Sequence, residues 1–197
     1  LSPVSLDQLD LVHIKGPFQI YDPQPPSQGW LRLIPPDMFG PPEKCYYRNV
    51  SEHPALLVQQ QGSGAAACFP FNIGQLYHQQ AHIGHAALLI GSIDGLLQSN
   101  RRVQVRTSPL VEINHRADPG GKFEWISLYN HSGARGNAVH EPIAVDSIEI
   151  SIRAAQEIRQ VRSLASGEEL PVQKQADSPT IIHVPRLGRY DVVLIQY

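Results

Sequence analysis

Cysteine is scarce in this chain. Only Cys45 and Cys68 occur among 197 residues, and they form no C-x-x-C pair. Two thiols at that spacing specify neither a disulfide nor a metal site. No apolar run approaches the ~20 residues of a membrane-spanning helix. Neither sign of charge dominates, with 16 Lys and Arg against 18 Asp and Glu and a formal net charge of −2. That balance gives no electrostatic reason to bind nucleic acid or an anionic membrane. There is no G-x-G-x-x-G and no P-loop, so no nucleotide cofactor is expected. Gly62-Ser63-Gly64 and Gly91-Ser92-Ile93-Asp94-Gly95 do not match the G-x-S-x-G elbow of serine hydrolases. The charged-then-apolar pattern of a secretory signal is also missing, and the expected location is the cytoplasm.

What is present fits a globular chain, with 42% hydrophobic and 17% charged residues and enough length to bury a core. The expected fold class is α+β and β-rich. A partial α/β domain over 1–100 precedes a small antiparallel β-sandwich over 101–197. Short apolar runs at Leu9 to Ile14, Phe18 to Tyr21 and Trp30 to Ile34 are interrupted by prolines, which lack a donor and fix φ. They read as edge strands and ordered loops. Gly40 to Tyr47 reads as a stiff loop with aromatic anchors, packed on a domain surface. Ala55 to Gln60 and Ala65 to Phe69 read as a hairpin, because Gly62-Ser63-Gly64 can supply the positive φ of a tight turn.

From His82 to Leu97 the pattern turns helical. Ile83, Ala86, Ala87, Ile90, Ile93 and Leu97, with Leu88, Leu89 and Leu96 beside them, make a broad apolar face. The polar run Gln98 to Arg102 marks the domain boundary. Beyond it, about eight short strands separated by turn signals fit a sandwich. They cover 103–106, 110–116, 123–130, 145–153, 158–164, 170–173, 180–184 and 190–195. Ile148, Ile150 and Ile152 alternate with Glu149, Ser151 and Arg153, the period-2 mark of a half-buried strand.

Two groups of residues carry a resemblance. Gly62 to Leu89, with Cys68-Phe69-Pro70-Phe71-Asn72-Ile73-Gly74-Gln75-Leu76-Tyr77 and His82-Ile83-Gly84-His85, resembles the end of the flavodoxin-like trimerisation domain of bacterial β-galactosidase-like glycoside hydrolases. Ser147 to Arg153, Val161 to Pro171 and Val184 to Ile195 are similar to the C-terminal β-sandwich that follows it. The loop Gly40 to Tyr46 is similar to one in the same proteins. The resemblance implies an upstream catalytic (β/α) barrel, with the catalytic carboxylates there and none in this chain. It also implies an accessory, oligomer-building role for these residues, with a second copy and that barrel as partners. One departure is Gly62-Ser63-Gly64-Ala65, where such proteins tend to carry basic residues between and after the glycines.

The residues themselves admit other chemistry. Glycoside hydrolysis needs two carboxyls ~5–5.5 Å or ~6.5–9.5 Å apart. Nothing in the spacing of Glu43, Glu52, Asp94, Glu112, Glu124 and Asp146 brings two together. His78, His82 and His85 would share a helix face if the helix began early enough, a spacing that can hold zinc. No glutamate lies between them, however, and the helix start near His82 argues for caps, loop hydrogen bonds or a partner surface instead. Tyr77, His78, His82 and His85 are therefore interface candidates, and no metal is assigned. Cys68 is expected in a buried strand as a small hydrophobe. Phe123, Trp125 and Tyr129 share strand parity opposite Ile126 and Leu128. They either form a carbohydrate-stacking platform or pack against the first domain. The alternatives to the accessory role are thus a carbohydrate-binding sandwich or a protein that stands alone.

Overall fold

The structure, a computed structural model, describes residues 11–23, 25, 27–36, 40, 41, 43, 45, 49–98, 100–154, 156–174 and 178–197. Leu9, Asp10, Pro26, Pro42, Lys44, Tyr46, Tyr47, Ser99 and Asp177, which figure in the sequence readings, lie outside them. Among the described residues the chain is β-rich with two α-helices, and it forms two compact units, Leu1–Asn100 and Arg101–Tyr197. No helix among the described residues is long and apolar enough to cross a membrane.

In the first unit β1 (Gln28–Trp30), β2 (Leu56–Gln61) and β3 (Gly64–Cys68) form a three-stranded sheet in the order β1-β2-β3, with both pairings antiparallel. The apolar runs on either side of β1, near 11–21 and 31–34, are irregular. The β2–β3 hairpin closes through Gly62 and Ser63, with Gln61 opposite Gly64. Gly62 takes φ +59°, as the first central position of a primed hairpin turn requires. Cys68 departs from its expected place. It is a free, exposed thiol, because β3 is an edge strand whose positions 64, 66 and 68 face outward.

Two helices follow: α1 (Ile73–Gln80) and α2 (Ile83–Leu96). Ile73 and Leu76 bury one face of α1 against Ala55, Phe71 and Leu88. The left-handed backbone of Ala81, φ 48° and ψ 33°, ends α1. The buried side of α2 carries Gly84, His85, Leu88 and Ser92. Gly84 lies so close that an added Cβ would stand 3.3 Å from Val12 Cγ2 and 3.1 Å from His82 Nδ1. The broad apolar face is divided, with Leu88 buried and the isoleucine stripe turned outward. Ile83 is 73% exposed, Ile93 50%, Ile90 49% and Leu97 44%. A helix apolar on all sides has no unique inner face by hydropathy, so the close approach of its small residues decides the rotation.

The second unit is a sandwich of two four-stranded antiparallel sheets. The first has the order β10 (Gln160–Ser163), β13 (Tyr190–Gln196), β6 (Phe123–Asn130), β5 (Val111–Ala117). The second has the order β11 (Val172–Gln173), β12 (Thr180–Leu187), β9 (Val145–Ile152), β4 (Val103–Arg106). A ribbon of β7 (Ala134–Arg135) and β8 (Ala138–Val139) stands apart. Inward residues of both sheets share one core, including Ile126 and Leu128, Ile148, Ile150 and Ile152, Ile182, Val193 and Ile195. The β9–β12 ladder skips Pro185, which has no N–H to donate, and Ser147 opposite it takes φ +58°. Ile150 sits mid-core between Ile182 and Val105 in the register. Ile150→Ala should lower the unfolding free energy by roughly 2–5 kcal/mol in urea titrations. A loss within experimental scatter would contradict this packing.

Candidate functional site

Strand β6 alternates throughout. Glu124, Ile126, Leu128 and Asn130 point inward, and Phe123, Trp125, Ser127 and Tyr129 point outward. Period-2 geometry thus places all three aromatic candidates on the outer face of the first sheet. They fall into two groups. Phe123 and Trp125 lie with centroids 6.0 Å apart and planes at 27°. Beyond Ser127, Tyr129 meets His131 edge-on at 4.5 Å and Tyr190 at 6.2 Å. Tyr190 was not among the sequence candidates. Its outward parity was readable, but the pairing of β13 with β6, which sets it opposite Tyr129, is non-local.

Neighbouring strands supply polar groups on the same face. Glu112, Asn114 and Arg116 of β5 lie opposite Tyr129, Ser127 and Trp125. The Glu112 carboxylate accepts from His131 Nε2 at 2.9 Å and Asn114 Nδ2 at 2.9 Å, and those hydrogen bonds hold its pKa below the usual carboxylate value.

The inward ends of β6 are polar. Glu124 is 2% exposed. It accepts hydrogen bonds from the Arg102 guanidinium, from His115 Nε2 and, at 2.7 Å, from the Tyr197 hydroxyl. Burial pushes the Glu124 carboxyl up, but the hydrogen bonds from Tyr197 and His115 and the Arg102 charge outweigh it and hold the pKa below 4.5. Burial, then the hydrogen bond to Glu124 and its charge, pushes the Tyr197 phenol up to about 12. At the other end, Asn130 Nδ2 donates to the carbonyls of Ile143 and Gly188 at 2.8 and 2.9 Å. Its side chain is thus occupied and buried. Glu112 and Glu124 stand on adjacent strands but on opposite faces, so the sandwich does not turn them toward one another.

His78 does not share a face with His82 and His85, since Ala81 separates α1 from α2, whereas the His82 and His85 rings lie 5.3 Å apart. His78 is exposed near the end of α1. His82 caps α2, its Nδ1 accepting from the Gly84 N–H at 3.1 Å. His85 is fully buried, and its Nε2–H donates to the His13 carbonyl at 2.6 Å. His85 is therefore removed from the interface candidates: its ring is withdrawn from the surface to tie residues near 13 to α2. Tyr77, His78 and His82 remain exposed. Among the described residues no group of three His, Cys, Asp or Glu is placed to hold a metal.

No family model matches the chain, and no curated protein matches it. A solved structure does share its fold: α-L-fucosidase isoenzyme 2 from Paenibacillus thiaminolyticus, with a TM-score of 0.65 and 14% identity over 87% of this chain. The chain spans 27% of the length of that fucosidase. Two further carbohydrate-active structures align more loosely. A cycloisomaltooligosaccharide glucanotransferase from Paenibacillus sp. has a TM-score of 0.39 and 12% identity over 56% of this chain and 20% of its own. A GH42 β-galactosidase from G. stearothermophilus has a TM-score of 0.38 and 14% identity over 79% and 17%. These two superpose too loosely to bear on the fold.

Glu124→Gln should cost about 2 kcal/mol or more, because it leaves the Arg102 cation without its buried counter-charge. The wild-type advantage is full above pH 4.5, where the unfolded carboxyl is also ionised. It fades as the pH falls through the lowered folded pKa, since the unfolded chain takes the proton first. At the alkaline end the unfolded chain loses the Tyr197 proton near pH 10 and the folded chain near 12, so stability falls as pH rises through that window. Tyr197→Phe should remove that alkaline slope. Urea midpoints against pH check both, and a Glu124→Gln difference that stays constant into acid would contradict the assignment.

Proposed function

We propose that this chain is a non-catalytic accessory and assembly region of a glycoside hydrolase-like protein, working beside a catalytic barrel and self-associating through its α/β half. The observation that carries this reading is the outer stripe of α2, where Ile83, Ile90, Ile93 and Leu97 are exposed on the side opposite Gly84, His85, Leu88 and Ser92. Fully burying an aliphatic side chain gains roughly 1.5–3 kcal/mol, so four on one stripe amount to a strong demand for a covering surface. Among the described residues no strand pairs with the outer edge of β3, built of Gly64, Ala65, Ala66, Ala67 and Cys68, in the same unit. A second copy meeting the first through this stripe would bury both sets of isoleucines in one contact. The fold shared with part of a fucosidase agrees with a place in a larger carbohydrate-active protein, and so does the resemblance of 62–89 to a trimerisation domain.

A second reading, a carbohydrate-binding role for the sandwich, is favoured by the Phe123–Trp125 pair on its outer face. The apolar face of a sugar ring can stack on such aromatic surfaces.

Light scattering of the full chain tests the assembly reading. The wild type should run as an oligomer. Ile90→Glu with Ile93→Glu should shift it to monomer with unchanged helical circular dichroism, since both side chains are exposed in the isolated chain. Tyr77→Ala, on the exposed side of α1, should weaken association less. A monomeric wild type, or an oligomer that survives the double substitution, would contradict the reading.

A further inference from the structure

One row of side chains crosses the outer face of the first sheet from edge to edge. Arg162 of β10 is in register with Leu194 of β13, Leu194 with Trp125 of β6, and Trp125 with Arg116 of β5. The row therefore reads Arg, Leu, Trp, Arg. Four cations of this unit are paired, and the row's two arginines are not among them. Arg102, Arg106, Lys174 and Arg189 each meet a carboxylate. Arg162 and Arg116 meet none among the described residues, and Arg162 Nε is buried without a hydrogen-bond acceptor. The acids nearest in register are already engaged. Glu112 accepts from His131 and Asn114, and Glu169 accepts from Gln160.

A guanidinium partly withdrawn from water without an anion is held at a cost, and its planar fork matches a carboxylate. Four strands in sequence set the two arginines three inter-strand steps apart, about 14 Å. A short saccharide laid across the strands covers that span. Between them, Trp125 and Phe123 offer the apolar surface on which a pyranose ring stacks. We propose that this row binds an acidic oligosaccharide, with uronate carboxylates meeting Arg162 and Arg116 and a ring lying on Trp125. The inference rests on the carbohydrate-binding reading and adds the substrate class. A neutral glycan would use the tryptophan and leave both cations unanswered.

Calorimetric titration of the full chain with an oligogalacturonate, and with a neutral galacto-oligosaccharide of equal length, tests it. The acidic sugar should bind, more weakly as salt rises, and the neutral one at least about tenfold more weakly. Arg116→Gln and Arg162→Gln should each weaken the acidic sugar about tenfold, and Trp125→Ala should abolish binding. Arg116 is exposed on an edge strand, so its variant should melt as the wild type does and report on binding alone. Equal affinity for both sugars would overturn the acidic preference while leaving the carbohydrate reading in place. No heat with either sugar would overturn both. Unchanged affinity for the acidic sugar in both arginine variants would move the ligand off this row and overturn the proposal.

Discussion

Helix α2 carries aliphatic side chains on two opposite sides, and the described part of the chain covers one of them. The inner side is chosen by steric fit. Gly84 allows close approach to Val12, His82 caps the first turn, and His85 is buried where it can reach the His13 carbonyl. Once the helix is fixed in that rotation, Ile83, Ile90, Ile93 and Leu97 have no choice but to face outward. A gain of roughly 1.5–3 kcal/mol per buried aliphatic side chain approaches, over four residues, the whole stability of a small domain. The interface proposal follows from this mismatch between where apolar surface is and what covers it.

The sandwich solves the opposite problem, how to close a core without leaving polar groups stranded. The inward side of β6 runs Glu124, Ile126, Leu128, Asn130, apolar in the middle and polar at both ends. Glu124 gathers Arg102, His115 and Tyr197, which come from the approach to β4, from β5 and from just beyond β13. Asp191, inward on β13, accepts from the Ser163 hydroxyl at 2.7 Å and the Ala165 N–H at 3.1 Å. With these ends satisfied inside, the outer face of the same sheet is free to carry Phe123, Trp125, Tyr129, Arg116 and Arg162. Buried polar groups with full partners hold a strand's register firmly, and that register is what lines up Arg162, Leu194, Trp125 and Arg116.

Much of this was legible in the sequence where the signal is local. The alternation of Ile148, Ile150 and Ile152 marks β9, Phe123 to Asn130 marks β6, and Gly62-Ser63 marks the hairpin turn. His82 marks the start of α2. Helix α1 was not read, because only Ile73 and Leu76 face its core and an eight-residue helix gives too few repeats for periodicity to speak. Which side of α2 is buried was not readable, since hydropathy cannot orient a helix that is apolar all round. Cys68 was misplaced because edge position depends on which strands pair. The Glu124 cluster and the arginine row were hidden for the same reason: their members lie far apart in sequence and meet only through sheet pairing. The aromatic parity, by contrast, needed one strand alone.

The central claim is that α2 is finished by a second copy of this surface. Sedimentation velocity of the unmodified chain over a wide range of concentration tests it most directly. Reversible association, with the sedimentation coefficient rising with concentration toward that of a discrete oligomer, is the predicted result. A single species at the 21.8 kDa of one chain throughout the range would contradict it, and the apolar stripe of α2 would then need an occupant of different chemistry.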